Sequence, residues 1–357
     1  MASSSSSIPR IAVLGSLNMD LVAYVPHHPL PGETLTAERF VNSPGGKGAN
    51  QAVACAKLSR PRPSTGALDA STQFLNETAH ITMLGAVGAD AHGAALLDSL
   101  KSYGVDASGV QTAPEGVGSG VAVIIVDVPT GENRIVLSPG ANHSVRAPEG
   151  ASTAEEEEEW VIERLKAAGG GELPDMLIMQ LEIPHGTVLA ALRAARKHDV
   201  EVLLNPAPAA PLPEDAYKGL AHLVVNETEA AVLGGLGLEA AESLASDEKA
   251  LESVAKGFLE RGVGNVVITL GGKGVYYMAE GGGKKGWLPA EKAKVVDTTA
   301  AGDTFVGRYA LEAAGSKKKG EERFDIEDAV RKANKAAAKT VERPGAQKSI
   351  PWRDELE

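Results

Sequence analysis

Strand-like apolar runs in this chain alternate with helix-like ones, and that alternation restricts the fold more than any other feature. Ile11–Gly15 reads as a strand, a helix follows near Gly48–Leu58, then a strand at His80–Val87 and a helix at Gly93–Tyr103. Farther on come strand Met176–Leu181, helix Thr187–Lys197, and strands Val200–Leu204, Leu223–Val225 and Val266–Thr269. Strands separated by helices predict an α/β fold, a doubly wound, mainly parallel sheet flanked by helices. Two stretches depart from the alternation. Leu21–Val25 with Thr34–Val41, and Val121–Val126 with Arg134–Leu137, read as short strands joined by turns at Pro31-Gly32 and Pro129-Thr-Gly-Glu132. They predict a small β-sheet standing off the main body, drawn from about 17–42 and 119–138.

At 357 residues the chain can bury a large core, and 10–357 reads as one domain behind a disordered tail at 1–9. A net charge of −12 argues against a nucleic-acid surface, which needs a basic stripe. The one cysteine, Cys55, excludes an internal disulfide framework and suits a reducing compartment, the cytosol by default and the nucleus besides. No apolar run approaches membrane-spanning length, and Met1–Ser7 lacks the apolar segment of a secretory signal. Ser59–Thr78, rich in Pro, Ser and Thr, reads as an insertion of no assigned role. Gly281–Gly286 and Ser316–Glu322 read as loops, and Glu155–Glu159 as a solvated helix start.

The segment Asp297-Thr-Thr-Ala-Ala-Gly-Asp303-Thr-Phe305 lies between the apolar run Ala293 to Val296 and the helix-like run Phe305 to Ala314. Small residues let a backbone approach a ligand, and a helix N-terminus points unpaired N–H groups at an anion. Asp303 in that place can serve as a catalytic base beside phosphate charge, and it equally suits plain N-capping. Near the other end, Gly15-Ser-Leu-Asn18-Met-Asp20 follows a strand. Asn18 and Asp20, two apart in an extended segment, share a face on which an amide and a carboxylate can meet a polyol; both are also common turn residues.

Pro44-Gly45-Gly46-Lys47-Gly48-Ala49-Asn50-Gln51 superficially resembles a phosphate loop, but no hydroxyl follows Lys47, so Lys47 is not read as a phosphate-loop lysine. A glycine-rich turn ahead of a helix is the plain alternative. Glu182 stands just past a strand, at the carboxyl edge where doubly wound sheets bind ligands, though it also suits a surface position before Pro184. Asn226 and Glu229 follow another strand and match an N-cap with its capping-box acid. The first βα turn, Gly15-Ser-Leu-Asn18, lacks the Gly-x-Gly-x-x-Gly spacing of a dinucleotide fold, which disfavours an oxidoreductase. The histidines show no ligand-spaced pair beyond His27-His28, so no zinc site is expected.

Taken in order with Gln180-Leu-Glu182, Asn205-Pro-Ala-Pro208, Asn226-Glu-Thr-Glu229, Thr269-Leu-Gly-Gly-Lys-Gly274 and Gly345-Ala-Gln347, these segments resemble the PfkB-type carbohydrate kinases from about Arg10 to Trp352. The resemblance implies ATP-dependent phosphorylation of a sugar, D-ribose at its 5-hydroxyl foremost, with Asp303 as base. Another sugar or nucleoside kinase of the family (for deoxyribose, fructose or adenosine) is the alternative, and a ligand-binding pseudoenzyme a more remote one.

The resemblance also implies a set of site residues. It places Asn18, Asp20, Gly45, Gly46, Lys47, Asn50, Glu182 and Asp303 at the sugar. It places Asn226, Thr269, Gly271, Gly272, Gly274, Gly302 and Asn334 at the nucleotide, with Lys273 in the same loop but given no essential role. Glu229 would order Mg²⁺ through water. Asp297, Thr299, Thr340, Arg343, Gly345 and Ser349 would surround K⁺, mostly through backbone carbonyls. The small sheet becomes a lid over the sugar and a homodimer surface. One departure stands out: many family members have Gly where this chain has Ala300 or Ala301.

Overall fold

A computed structural model describes residues 8–63, 77–148, 150–281 and 284–357. Of the tail expected at 1–9, residues 1–7 lie outside them, as does the inner part of the Ser59–Thr78 insertion; Pro9 is instead buried, its carbonyl accepting from His80 N (2.9 Å) as β1 begins. In chain order the elements are β1 (Arg10–Leu14), β2 (Asn18–Val25), β3 (Arg39–Gly45), α1 (Lys47–Leu58), β4 (His80–Val87), α2 (Ala91–Ser102), β5 (Asp106–Thr112), β6 (Gly120–Asp127) and β7 (Asn133–Ser138). They continue with α3 (Ala154–Ala168), β8 (Met176–Met179), α4 (His185–Lys197), β9 (Glu201–Leu204), β10 (Leu220–Asn226), α5 (Glu227–Leu233), α6 (Ala241–Leu244) and α7 (Glu248–Glu260). The last are β11 (Val263–Thr269), β12 (Val275–Ala279), β13 (Lys285–Leu288), α8 (Ala301–Lys319) and α9 (Ile326–Thr340).

The main sheet runs β13-β12-β11-β10-β9-β8-β1-β4-β5. From β11 to β5 every pairing is parallel, and β12 and β13 close one edge as antiparallel strands. Its central strands are apolar on both faces. Ala12 and Leu14 of β1 pack into one cluster with Val161 of α3, Val188 of α4 and Leu251 of α7. Ile11 and Val13 pack into the other with Val53 of α1, Phe305 of α8 and Val330 of α9. The expected α/β class is what forms. A second sheet, β3-β2-β6-β7, is built from the stretches that broke the βα alternation.

Element bounds shift in instructive ways. β2 begins at Asn18 rather than Leu21, and β3 spans Arg39–Gly45 rather than Thr34–Val41, because Asn18 pairs with Gly45 and Asp20 with Ser43. Pro44, expected in a turn, is tolerated because β3 is an edge strand. β8 stops at Met179, since Leu181 N–H turns out of the ladder to Ala207 O (3.0 Å). The loop expected at Ser316–Glu322 is helix as far as Lys319: three lysines suit the negative helix end, and Gly320 stops it in the left-handed region (φ 66°). Part of the expected loop at Gly281–Gly286 is strand, because Lys285 and Gly286 pair with Met278 and Tyr277. In the acidic run, Glu156 makes a capping box with Thr153. Glu158 is buried and ion-paired to Arg193 (2.8 Å) and Lys197 (2.6 Å), so this part of the run packs rather than solvates.

Candidate active site

Strand order reverses around β1, which has β8 on one side and β4 on the other. Ligands of doubly wound sheets bind beyond the carboxyl ends of strands at such a point. The segments leaving those ends carry Ser16 after β1, Gln180 and Glu182 after β8, and Asn205 after β9. Asn226 closes β10 and Thr269 closes β11.

Asp303 lies in the first turn of α8. One carboxylate oxygen accepts from Asn50 Nδ2 and the other from Gln51 Nε2, both at 3.0 Å. Gln51 is fully buried; its Nε2 also donates to Asn205 Oδ1 (3.0 Å) and its Oε1 accepts from Gln180 Nε2 (2.6 Å). These amides fix the carboxylate without protonating it. The N–H groups of Gly302 and Asp303 have no acceptor among the described residues, as expected for a helix N-terminus open to an anion. Ala300 precedes them in the left-handed conformation (φ 61°), which costs a residue with a Cβ about 1–2 kcal/mol.

The small sheet supplies the opposite wall. Asp20 is 8% exposed and has no hydrogen-bond partner for its side chain among the described residues. It fits because a Cβ on Gly45 would stand 2.1 Å from Asp20 Oδ2. Asn50 Oδ1 is likewise buried without a partner. Glu182 Oε2 accepts from Ser16 Oγ (2.6 Å), Lys47 N (3.1 Å) and Asn18 Nδ2 (3.4 Å). Gly46 makes the corner into α1 at φ 87°, where a Cβ would stand 2.6 Å from Asn18 N.

Charge is concentrated here. Burial, then the Glu182 and Asp303 charges, push Asp20 up to about 7 against the opposing pull of Lys47. Burial also raises Asp303, although Lys47, Gln51 and Asn50 act against it. Burial pushes Glu229 up to about 7, opposed by its bond from Asn226 and by Lys47. Burial alone would depress Lys47, but Asp303, Glu182, Glu229 and Asp20 outweigh it and hold the amine above its ordinary value. Lys47 is thus the cation that these carboxylates share.

A pH dependence follows. A base must be ionised to work, and burial raises the Asp303 carboxyl, so kcat/KM for the acceptor should fall on the acid side with an apparent pKa above the ordinary carboxylate range, read from a pH–rate profile. The sign for stability is opposite. Carboxylates whose folded values are raised stabilise the fold below their unfolded values and lose that contribution as pH rises through about 7. Asp20→Asn should therefore raise the Tm of the ligand-free protein more at pH 8 than at pH 5; an equal change at both would contradict this.

At the head of α8, Thr269, Gly271, Gly272, Gly274, Gly302 and Asn334 line one cavity of about 520 Å³. A Cβ on Gly271, Gly272 or Gly302 would meet nothing within 4 Å, so the space beside these backbones is open to a ligand. Lys273 leaves this cavity: its Nζ donates to Ser246 Oγ (2.8 Å). Asn334 Nδ2 is occupied by Pro289 O (2.8 Å), leaving its carbonyl end to face a ligand.

The cation positions divide. Asp297 joins two segments, accepting from Thr299 N (2.9 Å) and Gly345 N (2.8 Å). Burial raises its pKa, but bonds from Thr299 and Gly345 outweigh that and hold it below the ordinary value, a charged oxygen suited to a cation. The side chains of Thr340, Arg343 and Ser349 are engaged elsewhere, with Thr304, Glu355 and the Ala346 carbonyl, which leaves their carbonyls to serve, that of Thr340 through its second lone pair because it already accepts from Arg343 N (3.2 Å). Glu229 and Asn226 form a reciprocal cap, Glu229 Oε2 accepting from Asn226 N (2.9 Å). No group of three or more acidic, His or Cys side chains that could hold a metal ion occurs among the described residues.

Ser16, Gln51, Asn142 and Asn205 were given no role from the sequence. Gln51 carried a signal, a second amide beside Asn50 just ahead of the small apolar run Ala52 to Ala56. Ser16 and Asn142 carried none, because the site residues they hold, Glu182 and Asn18, lie 166 and 124 residues away in sequence.

A model of the pfkB family carbohydrate kinases matches residues 9–353. The chain is 42% identical to the ribokinase of Schizosaccharomyces pombe over 345 residues, covering 96% of this chain and 95% of the relative. It is 33% identical to the deoxyribokinase of Salmonella typhi over 342 residues, covering 96% and 95%. Among solved structures, Arabidopsis thaliana ribokinase complexed with ribose and ATP superposes with a TM-score of 0.76 at 28% identity, covering 98% of this chain and 97% of that one.

Proposed function

The chain belongs to the pfkB family of carbohydrate kinases, and from that premise we propose that it transfers the terminal phosphoryl group of ATP to the 5-hydroxyl of D-ribose. The observation that carries this reading is the position of Asp303. Two amides hold its carboxylate at the head of α8, where the large cavity lies, and its charge bears on the unpartnered Asp20.

Asp303 takes the proton of the acceptor hydroxyl as its oxygen attacks the terminal phosphorus and ADP leaves. Lys47 and the free N–H groups of Gly302 and Asp303 meet the charge on the transferred group. Asp20 accepts from a diol, and Asn50 Oδ1 gains the donor it lacks. Asn18, Glu182 and the backbone at Gly45 and Gly46 complete the polyol contacts. The nucleotide lies along Thr269, Gly271, Gly272 and Gly274, reaching Asn226 and Asn334.

Mg²⁺, when bound, would neutralise phosphate charge, with Glu229 ordering its waters. K⁺ would sit among the carbonyls of Asp297, Thr299, Thr340, Arg343, Gly345 and Ser349 and polarise the adjacent anion site. The face of the small sheet turned away from Asp20 exposes Phe40, Val123 and Val136, an apolar surface suited to a homodimer with that sheet as lid. No helix among the described residues is long and apolar enough to cross a membrane. The buried, unpaired Cys55 supports a cytosolic setting, with the nucleus as the second.

The test is a substrate panel reading ATP consumption with ribose, 2-deoxyribose, fructose, adenosine and 2-keto-3-deoxygluconate. Ribose should give the highest kcat/KM, about tenfold or more above 2-deoxyribose, since a missing hydroxyl leaves a buried carboxylate unpaired. Exchanging K⁺ for a large organic cation at constant ionic strength should depress the rate. Preference for another acceptor would replace ribose as the substrate, and indifference to the cation would remove the K⁺ site.

A further inference from the structure

Asn142 lies in a helical turn after β7 and is 1% exposed. Its Oδ1 accepts from Leu17 N (2.8 Å), while its Nδ2 donates to Leu17 O (3.1 Å) and to Asn18 Oδ1 (2.7 Å). The first of these bonds decides the orientation of the rest. A backbone N–H can only donate, so the oxygen end of the Asn142 amide must face it, which turns Nδ2 toward Asn18. Asn18 must then present its oxygen to Asn142, and its own Nδ2 points to Glu182 Oε2 (3.4 Å), which accepts only. The amide orientation of a substrate-side residue is thus set by the peptide of Leu17, relayed through Asn142. Space is reserved for the relay: a Cβ on Gly120 would stand 2.2 Å from Asn142 Nδ2 and 2.3 Å from Asn18 Oδ1.

We propose that Asn142 is a positioning residue for sugar recognition, holding the Asn18 amide with its N–H directed at an acceptor oxygen of the sugar. The inference rests on the reading of Asn18 as a sugar contact. Two of these bonds pin Leu17, between β1 and the first strand of the small sheet, so the residue that orients the contact also fixes the point from which the sheet departs.

Asn142→Asp keeps the shape and replaces the donor with an acceptor, setting oxygen against both Leu17 O and Asn18 Oδ1. Asn142→Ala removes the anchor without that repulsion and covers the case in which Asn142→Asp does not fold. Each should raise the KM for ribose about fivefold or more while the KM for ATP stays within about twofold. Calorimetric titration of the nucleotide-free protein with ribose should show the same loss. Thr187→Val is the stability control: Thr187 Oγ1 donates to Val145 O (2.7 Å) in the same segment but touches neither Leu17 nor Asn18. It should lower Tm and leave the ribose KM in place. An unchanged ribose KM in both Asn142 variants, or ribose and ATP constants rising together, overturns the proposal. Asn18→Ala separates the two levels. If it leaves the ribose KM unchanged, the sugar reading of Asn18 fails. If it raises that KM while the Asn142 variants do not, only the relay fails.

Discussion

Asp303→Asn should lower kcat by on the order of 10² to 10⁴ while the protein stays folded. The amide cannot take the acceptor proton, and the transfer would then need water for a base. Folding should survive for a reason visible in the site. The new NH₂ would face an amide N–H from Asn50 or Gln51. Asn50 can turn over to accept it, because Asn50 Oδ1 has no partner in the ligand-free protein. Gln51 cannot, since Gln180 and Asn205 fix both of its ends. The turned Asn50 would offer the sugar a donor where it had an acceptor, so a rise in the ribose KM should accompany the fall in kcat. Burial raises the Asp303 carboxyl, so the neutral substitute should leave Tm level or higher near pH 7. Turnover near the wild-type rate, in a variant with a normal melting curve, would end the assignment of Asp303 as base.

The second large effect is expected at the opposite wall. Asp20→Ala should cut kcat/KM for ribose by about tenfold or more and shrink the margin over 2-deoxyribose, because the group that a missing hydroxyl would leave unpaired is gone. Gly45→Ala should reproduce much of this loss without altering a polar group. Its Cβ would stand 2.1 Å from Asp20 Oδ2 and 2.5 Å from the carboxyl carbon, so the carboxylate must move off its present line. Side-by-side kinetics with the two sugars measure both variants. If Asp20→Ala keeps the wild-type ratio between the sugars, Asp20 is not the group that senses the hydroxyl, and Glu182 or Asn18 takes its place.

Much of the candidate site could be read before any coordinates, and the reason is local. Asp297 to Phe305 is a contiguous turn-and-helix start, and its small residues, its carboxylates and the helix that follows are all properties of one segment. The same holds for Gly45 to Asn50 and for Asn18 with Asp20, whose alternation along a strand puts both on one face. Lys273 shows the limit of that local reading: a lysine among nucleotide-lining glycines looks available, yet its amine reaches Ser246 on the far side. The lysines of Ser316–Lys319 misled in the opposite direction, being loop-like in composition but helical because they suit the end of α8.

Periodicity, turn chemistry and helix starts act over a few residues, so the α/β class, the separate small sheet and the segments that line the candidate site were legible in the chain itself. Tertiary structure alone decided how those residues are held. Gln51 meets Asp303 across 252 positions, Ser16 meets Glu182 across 166, and Asn142 meets Asn18 across 124. Such pairs leave no periodic trace, since each depends on the order in which strands enter the sheet and on β1 lying where that order reverses. The shared field of Lys47 and its four carboxylates has the same origin. No two of these groups are near neighbours in sequence except by chance, and only the burial of all of them in one cleft pushes Asp20 and Glu229 up to about 7.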